Sequence, residues 1–121
     1  MNHSPSFFIF TDDIMEQLEF RSILSNYSLD FPTKFDSEYF KEQHDYSILI
    51  VNLHLWNNNP YDIIMHWKES INSHQTILLA YTSEKHDHPS IHKAKSAGAE
   101  LILDKNQLLE LLQSIIEGFS H

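Results

Sequence analysis

The chain has 121 residues, 41% of them hydrophobic and 12% aromatic, enough for one domain with its own core and too few for two. Lysine plus arginine number 8 and aspartate plus glutamate 17, a net charge of −9 that repels phosphate backbones and argues against nucleic-acid binding by this domain. There is no cysteine, which excludes disulfides, thiolate metal sites and thiol catalysis and fits a reducing compartment.

The predicted elements follow in chain order. Phe7-Phe8-Ile9-Phe10 is a continuous apolar run that stops at Thr11-Asp12-Asp13. A helical pattern over Ile14 to Leu24 follows, then a weaker segment, Leu29 to Phe35, whose Pro32 marks it as an edge strand. Asp36 to Gln43 reads as a short polar helix. Ile48-Leu49-Ile50-Val51 is the next continuous run and ends at Asn52. Ile63, Ile64, Trp67 and Ile71 fall at helical spacing in Tyr61 to Ile71. Ile77 to Tyr81 is apolar and ends at Thr82-Ser83. Pro89 opens a helix that Gly98 stops, and Leu101-Ile102-Leu103 then leads to Asp104-Lys105. A last helix carries Leu108, Leu111, Leu112, Ile115 and Phe119, with Asn106 as its expected cap.

Continuous short apolar runs suit strands buried on both faces. Their alternation with helices predicts a doubly wound α/β fold, flavodoxin-like, with a five-stranded parallel sheet in the order 2-1-3-4-5 and five helices. The expected organisation is one domain over 1–121. No apolar run approaches the roughly 18 residues of a membrane span, and the short start from Met1 to Phe10 does not make a signal peptide. The expected location is the cytoplasm. Only Gly98 and Gly118 are glycine, so glycine-rich phosphate loops are excluded.

Ligands of such sheets sit outside the carboxyl ends of the strands. Polar residues gather there: Asp12 and Asp13, Asn52, Thr82 and Ser83, and Lys105. Over essentially its whole length the chain resembles a receiver domain of the two-component response regulators. Leu78-Leu79-Ala80-Tyr81-Thr82-Ser83 is similar to the family's fourth strand. Ala97-Gly98-Ala99-Glu100 before Leu101-Ile102-Leu103-Asp104-Lys105 is similar to its approach to a lysine. The resemblance implies an acidic pair at Asp12 and Asp13, a hydroxyl at Thr82, a lysine at Lys105, and a phosphoacceptor position at Asn52.

Asn52 is the main departure. Its neutral amide forms no stable acyl phosphate and removes a charge from the place where the family binds Mg²⁺. Asp12 and Asp13 remain as weak Mg²⁺ candidates, with Lys105 expected to pair with one of them. No other cofactor is expected. Trp56, Ile102 and Asn106 stand where the family carries a proline, a switch aromatic and a second proline. The resulting expectation is a pseudo-receiver: non-enzymatic, phosphorylation-independent, and acting by protein–protein interaction. By the family's habit its interaction face is the fourth helix, fifth strand and fifth helix, with Leu109, Leu112 and Ile116 exposed for a partner or a homodimer, and Trp56 as a second anchor.

Two alternatives stand beside this expectation. One is a working phosphoacceptor with unconventional chemistry, against which Asp62 stands ten residues past Asn52 at the start of a helix. The other is a metal or small-ligand sensor, for which His86, Asp87, His88 and His92 form a compact cluster.

Overall fold

The computed structural model describes residues 5–33, 47–70, 76–83 and 88–119. The elements are β1 (Ser6–Phe10), α1 (Ile14–Ile23), β2 (Ser28–Asp30), β3 (Ser47–Asn52), α2 (Pro60–Ser70), β4 (Thr76–Thr82), α3 (His88–Ala97), β5 (Leu101–Asp104) and α4 (Lys105–Phe119). All strands run parallel in the order β2-β1-β3-β4-β5. The predicted fold and strand order hold. Four helices stand among the described residues, and the polar helix expected over Asp36 to Gln43 lies outside them. α3 and α4 are thus the predicted fourth and fifth helices.

The continuous apolar runs are explained by the pleat, which sends successive side chains to opposite faces. Phe8 and Phe10 join Leu49, Val51, Leu78 and Ala80 in one core beneath α2 and α3, with Ile63, Ile64, Trp67 and Ala94. Phe7 and Ile9 join Ile48, Ile50, Leu79 and Tyr81 in the other, beneath α1 and α4, with Phe20, Leu24, Leu108 and Leu112. Each run therefore feeds two cores at once. The edge strand is shorter than expected, ending at Asp30 ahead of Pro32. No described helix is long and apolar enough to cross a membrane.

Local chemistry fixes the helix ends that border the sheet. Asp13 caps α1, its Oδ1 accepting from the backbone N–H groups of Met15 at 2.9 Å and Glu16 at 3.2 Å. α3 ends at Gly98, which has φ +118° and donates to the Lys95 carbonyl, while the next N–H, of Ala99, reaches back to Ala94. This is a Schellman ending, and the positive φ is why glycine stands there. α4 starts at Lys105, two residues earlier than a cap at Asn106 would allow. Asp104 Oδ1 accepts from the Gln107 N–H at 2.8 Å and Gln107 Oε1 from the Asp104 N–H at 3.0 Å, a reciprocal box that replaces the expected Asn106 cap.

The apolar stripe of α4 is also corrected. Leu112 is 0% exposed, and Leu109 and Ile116 are only partly accessible, packed with Leu111 and Ile115 against the core. The stripe is wide because Tyr27, Leu29 and Phe31 at the β2 edge pack against the same core, and the Tyr27 hydroxyl donates to the Ile116 carbonyl at 3.5 Å. Leu112 is thus a core residue and cannot meet a partner. Leu112→Ala is expected to cost about 2–5 kcal/mol in urea unfolding, the range for a large-to-small change in a packed core. Leu112→Glu is expected to abolish the native circular dichroism spectrum.

Candidate functional site

The carboxyl ends of β1, β3, β4 and β5 converge, as the parallel sheet requires. Phe10 pairs with Val51 and Asn52 with Tyr81, so Thr11, directly after β1, comes level with the end of β3. Thr82 pairs with Asp104, and Lys105 follows at once on α4. Asn52, Thr82 and Lys105 therefore stand where the sequence predicts them. Asp12 and Asp13 likewise follow β1, but it is Thr11 that the Asn52 amide meets, and the two carboxylates serve other donors.

Asp12 ties down the loop after β3. Its Oδ2 accepts from the backbone N–H groups of Trp56 at 2.7 Å and Asn57 at 3.3 Å, and its Oδ1 accepts from the Asn57 side-chain amide at 2.9 Å. Asp13 is the α1 cap already described. Lys105 pairs with neither. Its ammonium lies 2.8 Å from Glu19 Oε1 and 3.5 Å from Glu16 Oε2, both on α1, which corrects the expected pairing with Asp12 or Asp13.

Glu16 is the residue the sequence reading missed. It is 5% exposed, and its carboxylate lies among the strand ends. Oε1 accepts from the Tyr81 hydroxyl at 2.6 Å, the Thr11 hydroxyl at 2.9 Å and the Asn52 side-chain amide at 3.3 Å. The Asn52 amide also donates to the Thr11 hydroxyl at 3.3 Å, and its carbonyl oxygen accepts from the His54 N–H at 2.8 Å. Thr82, buried, pairs through its hydroxyl with the His54 ring at 3.0 Å. Burial, then the neighbouring Glu16 charge and hydrogen bond, push the Tyr81 hydroxyl well above its ordinary value, so it remains a donor. Partial burial acts to lower the Lys105 ammonium, and the hydrogen bond to Glu19 with the charges of Glu16 and Glu19 outweighs it, so the net direction is up.

A signal for Glu16 existed. It stands four residues before Phe20 on the same face of α1, so an acid on that face enters the core with it. Tyr81 gave none, because an apolar run ending in tyrosine reads as core. The donor set is poor for a hard cation: Asn52 presents N–H groups to the pocket, and the carboxylates of Asp12, Asp13 and Glu16 each serve protein donors. Among the described residues no three His, Asp or Glu side chains are placed to hold a metal ion. Of the histidine cluster, His88 and His92 are exposed on α3, and His86 and Asp87 lie outside the described residues.

No family model and no curated protein sequence matches the chain. Solved structures do. The chain is similar to the signal receiver domain of an HD domain-containing protein from Pseudomonas fluorescens, at 19% identity and a TM-score of 0.70, covering 98% of this chain and 90% of that one. It is similar to a response regulator from Thermotoga maritima, at 17% identity and a TM-score of 0.65, with 94% and 98% covered. It is also similar to the Vibrio cholerae chemotaxis protein CheY4, at 15% identity and a TM-score of 0.67, with 93% and 98% covered. The fold is that of response regulator receiver domains. At these identities the likeness speaks for the fold, and the chemistry rests on the residues themselves.

Two outcomes follow from the Glu16 network. Lys105→Met removes the cation beside a buried carboxylate and is expected to cost about 1–3 kcal/mol in urea unfolding at pH 7. A neutral substitution would mean a solvated pocket. The second concerns alkali. Tyr81 holds its proton in the fold above the 10.0 at which a free tyrosine loses it, and Lys105 is likewise raised above 10.5. Both therefore contribute stability that is complete at neutral pH and is lost as pH rises past about 10. The urea midpoint of Tyr81→Phe is expected to fall less steeply than that of the wild type above about pH 10.

Proposed function

We propose that the chain is a receiver-like signalling domain that works without phosphorylation and acts by contact with other proteins. The observation that carries this reading is the buried Glu16 carboxylate hydrogen-bonded beside a neutral Asn52. Phosphoryl acceptance at these strand ends needs a free carboxylate oxygen and a cation to offset the charge of the donor. Asn52 offers neither: its amide nitrogen donates, and its carbonyl oxygen is held by the His54 N–H.

The neighbouring acids are poor substitutes. Asp12 anchors the loop of Trp56 and Asn57, Asp13 and Asp104 cap helices, and Glu16 has partners on both oxygens. On this reading the domain is not an enzyme and needs no Mg²⁺. Contact would use the apolar side chains that the fold leaves outside. Trp56 is 86% exposed, and Ile14, Met15 and Leu18 are exposed on α1, whose N-terminal end the Asp12 bonds hold beside the Trp56 loop. Trp56 is thus retained as a candidate anchor, and the α1 residues take the place of the buried Leu112.

Incubation with acetyl phosphate and Mg²⁺, followed by intact-mass measurement, is expected to show no hydroxylamine-sensitive phosphate adduct. A single such adduct would overturn the phosphorylation-independent reading. Asn52→Asp is expected to leave the protein without efficient phosphorylation in the same assay, because the new carboxylate faces the like charge of Glu16, which still engages Tyr81, Thr11 and Lys105.

A further inference from the structure

We infer that Glu16 is an internal ligand: its carboxylate fills an anion site built by the Tyr81 and Thr11 hydroxyls, the Asn52 amide and the Lys105 ammonium, and a small oxyanion such as inorganic phosphate competes with it for that site. The inference deepens the proposed function, on which it rests, by naming what occupies the pocket in place of a phosphoryl group.

The donors are drawn from different parts of the chain. Thr11 follows β1, Asn52 ends β3, Tyr81 lies on β4 and Lys105 opens α4, yet all four meet one side chain of α1. Tyr81 and Thr11 are buried, so the groups that face the carboxylate are fixed by the sheet and not by solvent. Such a set is what recognition of a small anion requires: several N–H and O–H donors and one ammonium, with little water. The carboxylate that these four groups share comes from a helix, and Asp12, Asp13 and Asp104 at the strand ends are engaged with other donors.

Removing that carboxylate leaves the buried Tyr81 and Thr11 hydroxyls without this acceptor and the Asn52 amide with the Thr11 hydroxyl, which is costly until something replaces it. Glutamate beyond its Cβ and a phosphate ion are similar in bulk, so Glu16→Ala opens a space of suitable size and sign. Glu19 is the opposing feature. It keeps its own contact to Lys105 at 2.8 Å, and its charge limits how tightly an external anion is held. The expected affinity is therefore modest, and in the wild type Glu16 holds the site by virtue of being tethered.

The test compares wild type, Glu16→Ala and the double variant Glu16→Ala/Lys105→Met in phosphate, acetate and chloride at matched ionic strength. Phosphate is expected to raise the unfolding temperature of Glu16→Ala saturably, with amide shifts centred on Thr11, Asn52, Tyr81 and Lys105. Acetate, which restores a carboxylate, is expected to do the same, and chloride is not. The wild type should need at least about tenfold more phosphate, and the double variant should lose the response. If Glu16→Ala is unfolded without added anion, about 100 mM phosphate should restore its circular dichroism spectrum. The inference is overturned if phosphate acts no better than chloride, if wild type binds as well as the variant, or if an unfolded variant stays unfolded in phosphate. Intact mass after a parallel incubation of the same proteins with acetyl phosphate and Mg²⁺ separates the two readings. A covalent adduct would defeat the phosphorylation-independent function, whereas an unchanged mass with no binding would defeat only the internal ligand.

Discussion

A carboxylate taken out of water needs donors on several sides, and the burial of Glu16 imposes that demand on the whole carboxyl end of the sheet. The demand begins on α1. Asp13 caps the first turn and so sets the helix phase, and Phe20 on the same face goes into the core. Glu16 has to follow it inward. The strand ends then supply what the carboxylate lacks, through Thr11, Asn52, Tyr81 and Lys105. Lys105 adds a link between α1 and α4, because both acids it meets lie on α1. With these bonds made, the polar groups around the pocket are directed at each other, which is how a site at the usual ligand position of this fold becomes part of its framework.

The same demand separates fold from chemistry. Solved receiver domains share the architecture at 15–19% identity, which is what a fold set by patterning and strand order permits. The pocket is placed by the parallel sheet alone, since the strand ends gather whatever residues follow the apolar runs. What the pocket does depends on a handful of side chains. An asparagine at the end of β3, a threonine after β1 and a glutamate in the first turn of α1 form one hydrogen-bond network there.

Most of the fold was legible because each apolar run has to bury alternate residues on two faces, and Phe7 to Phe10 and Ile48 to Val51 do so. Asn52, Thr82 and Lys105 were legible for the related reason that they end or follow such runs. The directions of Asp12 and Asp13 were not. They depend on backbone N–H groups of a loop 44 residues away and of the next helix turn, which spacing does not encode. Glu16 was hidden by its charge, since an acid in a first turn ordinarily serves the helix N-terminus from the surface. Leu112 was misplaced because the width of a stripe says nothing of how much of it Tyr27, Leu29 and Phe31 help to cover.

The central claim is that Glu16 and the strand ends form one coupled structural unit. A double-mutant cycle between Glu16→Gln and Tyr81→Phe, read by urea unfolding at pH 7, measures that coupling most directly. The account predicts an interaction free energy of about 1 kcal/mol or more, as for groups sharing one buried network. Additivity within about 0.3–0.5 kcal/mol would contradict it, because residues that do not share a network behave in that way.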